Sequence, residues 1–134
     1  MSTTPAKNTG SPSTDGAILV VEDDQCLRTI VATMIHILGR KVITACDGEE
    51  GEREFIDHQQ EIVLVVIDLG LPKIQGMELI RRFRIMKPSV KIVATSGYND
   101  KTFIEDLLNN GADAFLKKPF NQGEFNSITR PFLQ

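Results

Sequence analysis

The stretch "IVLVVIDLGLP" (residues 62–72) is a run of six aliphatic residues, then one carboxylate, Asp68, then a turn through Gly70 and Pro72. A run that is apolar at successive positions suits a strand covered on both faces, as in a parallel sheet. A carboxylate at the tip of such a strand is costly to ionise unless something nearby welcomes its charge. The same stretch therefore points to a parallel α/β sheet and asks what Asp68 meets at the sheet's edge.

Working outward, four more short apolar runs appear: "AILVV" (17–21), "KVITA" (41–45), "KIVAT" (91–95) and "DAFLK" (113–117). Helix-period segments separate them. Leu27, Ile30, Val31, Met34 and Leu38 fall on one helical face, with Gly39 as a stop. Asp47 with Glu50 reads as a capping box opening a second helix. Leu79, Ile80, Phe83 and Met86 give a third, ending before Pro88, and Phe103, Ile104, Leu107 and Leu108 a fourth, closed by Gly111. Asn121 with Glu124 caps a fifth, which Pro131 cuts short. The order βαβαβαβαβα, with right-handed crossovers, predicts a doubly wound (βα)5 α/β sandwich. Ligands of such sheets bind beyond the carboxyl ends of the strands. That edge collects Glu22, Asp23 and Asp24 after the first strand, Asp68 at the end of the third, Ser96 after the fourth and Lys118 after the fifth.

Composition narrows the function classes. A length of 134 residues suits one domain, and a net charge of −3 argues against a general nucleic-acid binder. No apolar stretch is long enough to cross a bilayer and the N-terminus lacks the apolar core of a secretory signal. A cytoplasmic location is expected, with Cys26 and Cys46 as free thiols in no metal-ligand spacing. Residues 1–16 are rich in Ser, Thr, Pro and Gly, a composition expected of a flexible leader or a linker from a larger protein. The folded unit is expected over 17–134.

Several carboxylates at one mouth repel each other, and a divalent cation resolves the conflict. An all-oxygen donor set suits Mg²⁺ or Mn²⁺, often shared with phosphate oxygens. A carboxylate beside such a cation can attack phosphorus, and the transferred group's charge then falls to neighbours such as Lys118 and Ser96. Plainer roles are expected elsewhere. Asp24 reads as the cap of the first helix, Lys117 as solvated, His36 and His58 as a helix-face and a surface residue, and Arg81, Arg82 and Arg84 as a solvent face.

At "LVVEDD", "VVIDLGLP", "ATSGY" and "KKPF", in that order and each at the end of the matching strand, the chain resembles the response regulator receiver family from about Ala17 to Arg130. The resemblance implies a flavodoxin-like sheet of order 2-1-3-4-5 and a cis Lys118–Pro119 bond. It implies Asp68 as phosphoacceptor, with Glu22, Asp23, Asp68 and the backbone carbonyl of Gly70 as ligands of Mg²⁺ or Mn²⁺. Lys118 and Ser96 would serve the transfer, and Ser96 with Phe115, where the family often has Tyr, would form the switch. A histidine kinase or phosphotransfer protein would donate, and a downstream protein would read the face of the fourth helix, fifth strand and fifth helix. Such a chain is a signalling module, not a metabolic enzyme, with no nucleic-acid or membrane partner expected. The alternative is a pseudo-receiver that binds proteins without phosphorylation. A flavin carrier on the same topology is disfavoured, because "VEDDQC" stands where a flavin phosphate would need hydroxyls and glycines. Too few residues follow Lys118 for a DNA-binding domain, so none is expected within this stretch.

Overall fold

A computed structural model describes residues 16–71 and 73–133. Apart from Gly16, the leader expected over 1–16 lies outside the described residues, as does Pro72. Five strands, β1 (Ala17–Val21), β2 (Lys41–Ala45), β3 (Ile62–Asp68), β4 (Lys91–Ser96) and β5 (Ala114–Lys117), alternate with five helices. The helices are α1 (Gln25–Ile37), α2 (Gly48–Asp57), α3 (Gly76–Met86), α4 (Lys101–Asn109) and α5 (Gln122–Thr129). All strand pairs are parallel and the sheet order is β2-β1-β3-β4-β5, as the resemblance implies.

The period of two along each strand sends alternate side chains to opposite layers. Leu19, Val21, Val65, Ile67, Ile92 and Ala94 pack with α2, α3 and α4 through Phe55, Leu79, Phe83 and Leu107. Phe55 and Phe83 stack with ring centroids 4.2 Å apart. On the other face Ile18, Val20, Leu64, Val66 and Val93 pack with α1 and α5 through Val31, Ile35 and Phe125. The expectation of strands buried on both faces holds for the three central ones. The edge strands β2 and β5 are only partly covered, because each lacks a neighbour on one side.

Local signals set the helix ends. The Asp47 carboxylate accepts from the Glu50 N–H at 2.8 Å, while Glu50 reaches back to the Cys46 N–H and not to that of Asp47. Asn121 and Glu124 close a reciprocal box at 2.8 and 2.9 Å. Gly39 and Gly111 take positive φ after α1 and α4, and a 3-10 turn containing Pro131 ends α5.

Three expectations need correction. Leu27 and Ile30, placed on the core face of α1, are 36% and 49% exposed, because the first turns of α1 overhang the carboxyl edge of the sheet and the inward face runs through Val31, Met34 and Ile35. Leu108 is exposed as well, since α4 fully buries only Leu107. Arg84 is not a solvent-face residue: its guanidinium donates to the carbonyls of Pro88, Val90 and Gly111 and to the Asp113 carboxylate, tying α3 to the turns flanking β4 and β5. Arg81 and Arg82 are half-exposed but ion-paired, with Glu78 and, for Arg82, with Glu52 across to α2.

One close approach fixes how the strand that carries Asp68 turns into α3. A Cβ on Gly76 would lie 2.8 Å from the Leu69 Cα and 2.9 Å from the Asp68 carbonyl oxygen. Alanine at a helix position normally gains roughly 0.5–1 kcal/mol over glycine. Here the backbone contact reverses the sign, and Gly76→Ala should destabilise the domain by about 1–3 kcal/mol in urea unfolding.

Candidate functional site

The carboxyl edge of the sheet is assembled from the ends of four strands and the loops that follow them. After β1 the Glu22 N–H donates to the Ala45 carbonyl, and the Arg28 guanidinium donates to the carbonyls of Glu22 and Asp23 at 2.9 and 3.4 Å. The Asp24 carboxylate caps α1 by accepting from the Leu27 N–H at 3.0 Å, the role expected of it. Its own N–H donates to Glu22 Oε2 at 3.1 Å. The acidic turn is therefore held by its backbone, and its side chains are directed by those bonds.

Asp68 is the last residue of β3, in register with Thr95 of β4, and the Leu69 N–H donates to the Thr95 carbonyl. The Lys118 N–H donates to the Ser96 carbonyl at 2.8 Å, which brings the end of β5 against the end of β4. The Lys118–Pro119 bond is cis, as the resemblance implies. Lys118 then reaches across the sheet: its Nζ lies 3.0 Å from Asp68 Oδ1 and 2.9 Å from Glu22 Oε1.

Both carboxylates are buried, Glu22 at 4% and Asp68 at 8% exposure. Burial pushes the Glu22 carboxyl up from its ordinary range, and the charge on Asp68 adds to this against the opposing pull of Lys118 and the Asp24 N–H. Burial alone would lower the Lys118 ammonium, but its hydrogen bonds to Glu22 and Asp68 outweigh that and hold it above the usual lysine value. Asp23 is exposed at the mouth, and one oxygen from each of Glu22, Asp23 and Asp68 falls within 4.8 Å of the others. A Cβ on Gly70 would sit 3.8 Å from Asp68 Oδ2, so this residue borders the carboxylate and leaves room beside it. Three hard oxygen donors facing a single ammonium are a donor set that fits Mg²⁺.

Ser96 ends β4 beside this cluster. Its Oγ accepts from the Tyr98 N–H at 2.9 Å, a turn arrangement that leaves the hydroxyl proton to be donated elsewhere. The Tyr98 ring packs edge-on against Phe103 of α4 with centroids 5.0 Å apart. Phe115 is half-buried against the α2–α4 layer.

Two features escaped the sequence reading. Arg28 has no motif to announce it, since its partners are main-chain carbonyls. The other is a cavity of about 370 Å³ between α1 and the loop after β5, walled by Leu27, Ile30, Val66, Pro119 and Phe120 and reaching Asp68 and Lys118. Leu27 and Ile30 were visible as apolar, but their helical phase read as core. Among the described residues no helix is long and apolar enough to cross a membrane, and Cys26 and Cys46 are exposed and unpaired.

Residues 18–130 match the response regulator receiver domain family. The chain belongs to that family, the receiver modules of two-component systems, in which phosphorylation and Mg²⁺ are typical. It is 36% identical over 107 residues to the virulence transcriptional regulatory protein PhoP of Salmonella typhimurium, covering 78% of this chain and 46% of that protein. With the alkaline phosphatase synthesis transcriptional regulatory protein PhoP of Bacillus subtilis it shares 32% identity over 120 residues, 87% of this chain and 48% of that one. It thus spans about half the length of these relatives. Among solved structures, a BeF3-activated DrrB receiver domain superposes with a TM-score of 0.78 at 26% identity, covering 88% of this chain and 97% of that one.

The Lys118 bridge makes a direct prediction. Lys118→Met leaves two buried carboxylates facing each other without a cation, and should cost roughly 1–3 kcal/mol in metal-free urea unfolding. Asp68→Asn removes one of the repelling acids and should cost less than half as much in the same experiment.

Proposed function

We propose that this domain is a phosphoacceptor switch in which Asp68 takes a phosphoryl group from a phosphohistidine on a kinase or phosphotransfer protein. The observation that carries this reading is the single ammonium of Lys118 held between Asp68 and Glu22, with Asp23 within ligating reach. A lysine satisfies two carboxylates there, and the same lysine is placed to neutralise an oxygen of a group bonded to Asp68.

In this reading Glu22, Asp23, Asp68 and the Gly70 carbonyl hold Mg²⁺ or Mn²⁺. The cation, when bound, neutralises charge on the transferred group's oxygens. Asp68 attacks phosphorus, the P–N bond to the donor imidazole breaks as the P–O bond forms, and the imidazole leaves without the phosphoryl group. Lys118 moves its hydrogen bond from the carboxylates to a phosphoryl oxygen. Ser96 exchanges the Tyr98 N–H for a second phosphoryl oxygen, to which its own hydroxyl donates. That exchange loosens the turn leading into α4, and Phe115 repacks against the changed surface. The α4-β5-α5 face then differs in its affinity for a downstream protein. The donor approaches over α1, where the exposed Leu27 and Ile30 lip the cavity that leads to Asp68. In this reading the domain is a signalling module that assists its own phosphorylation.

Incubation with acetyl phosphate followed by intact mass measurement tests the reading. The protein should gain one phosphoryl group with Mg²⁺ and none with a chelator, and Asp68→Asn should gain none. Failure with acetyl phosphate and with a phosphohistidine donor would put the pseudo-receiver in its place. The open space beside Asp68 gives a second outcome. Gly70→Asn places a polar side chain next to the acyl phosphate, and the decay rate of the phosphorylated form should change by about threefold or more. An unchanged rate would show that position 70 does not control water entry.

A further inference from the structure

We infer that Lys73 and Asp47 form a strap that positions the Gly70 carbonyl for the divalent cation, an inference that rests on the cation site proposed above. Of the four groups in that site, the carbonyl alone has no side chain to adjust, so its place depends entirely on how the loop between β3 and α3 is held.

The loop is anchored at its far end by the approach of Gly76 to the Asp68 and Leu69 backbone. In between, Lys73 has a φ of 69°, in the left-handed region that favours glycine. A lysine held there carries strain that its surroundings must over-determine. Its Nζ lies 3.5 Å from Asp47 Oδ2 and 3.7 Å from Glu49 Oε1, at the start of α2. Asp47 is itself fixed, because its other oxygen caps α2 through the Glu50 N–H. The backbone fits the same seat. A Cβ on Gly48 would fall 2.4 Å from the Ile74 carbonyl oxygen and 2.7 Å from the Ile74 Cβ, so the loop rests directly on the first residue of α2. Lys73 is largely exposed, and exposed ion pairs contribute little to global stability. The effect of the strap should therefore appear in cation affinity and not in the unfolding midpoint.

Electrostatics alone and positioning predict opposite signs. Lys73→Met removes a positive charge from the neighbourhood of the cation, which by charge alone tightens Mg²⁺ binding. If the pair positions the carbonyl, the same change weakens it. Calorimetric titration of the metal-free protein with Mg²⁺ should show the Kd of Lys73→Met raised about tenfold, the low end of what residues behind a metal's ligands contribute. Its urea midpoint should match wild type. Lys73→Arg should restore the affinity. Asp47→Asn keeps the cap, since Asn caps as well as Asp, and should weaken Mg²⁺ comparably. The double variant Asp47→Asn/Lys73→Met should be no weaker than either single one. Unchanged or tighter Mg²⁺ binding by Lys73→Met, with wild type binding normally, overturns the strap and leaves the cation site standing. No Mg²⁺ binding by wild type overturns both.

Discussion

Two buried carboxylates at the end of a parallel sheet are the constraint around which the rest is arranged. Glu22 and Asp68 sit at the ends of neighbouring strands, each nearly out of water, and their mutual repulsion is relieved by one ammonium at 2.9 and 3.0 Å. Lys118 reaches both because β5, two strands away from β3, ends beside β4 and its last hydrogen bond goes to the Ser96 carbonyl. A fold with another strand order would leave the lysine without this reach. The acid surplus that remains, with Asp23 open at the mouth, is what a divalent cation would neutralise.

The scaffold is rigid where this geometry is set and looser where a change must be read out. β1, β3 and β4 are buried on both faces, and Arg84 ties the C-terminal end of α3 to the turns around β4 and β5. By contrast α4 buries one side chain fully, near its C-terminal end, while its start leans on Tyr98 and Phe103 next to Ser96. A helix pinned at one end, with its other end beside Ser96, the hydroxyl proposed above as the switch, is suited to carry a local change in charge to a protein surface. The division follows from burial: few buried apolar contacts mean a low cost of local rearrangement.

Much of this was legible in the sequence. Apolar runs at successive positions identified β3 and its neighbours because burial on both faces leaves no polar side. The alternation of strands and helices then put Glu22, Asp23, Asp68, Ser96 and Lys118 on one edge, and the geometry brings the first three and Lys118 together. Ser96 lies at that edge with its hydroxyl engaged in the local turn. What the sequence did not disclose depends on three-dimensional phase and on main-chain partners. Leu27 and Ile30 share the apolar period of a core face, yet the start of α1 projects past the sheet. Arg84 looks like any helix arginine until the carbonyls it reaches are placed around it, and Arg28 likewise. The seat between Gly48 and Ile74 joins segments about one strand and one helix apart, a contact no local pattern records.

In the proposed switch, Lys118 serves the two carboxylates only until a phosphoryl group arrives. A crystal structure with Mg²⁺ and beryllofluoride tests it most directly. The beryllium should be bonded to an Asp68 oxygen, Lys118 Nζ moved from the carboxylates to a fluorine, and Glu22 and Asp23 directed at the cation. A structure with Asp68 unmodified at saturating beryllofluoride and Mg²⁺, and Lys118 still bridging Asp68 and Glu22, would contradict it.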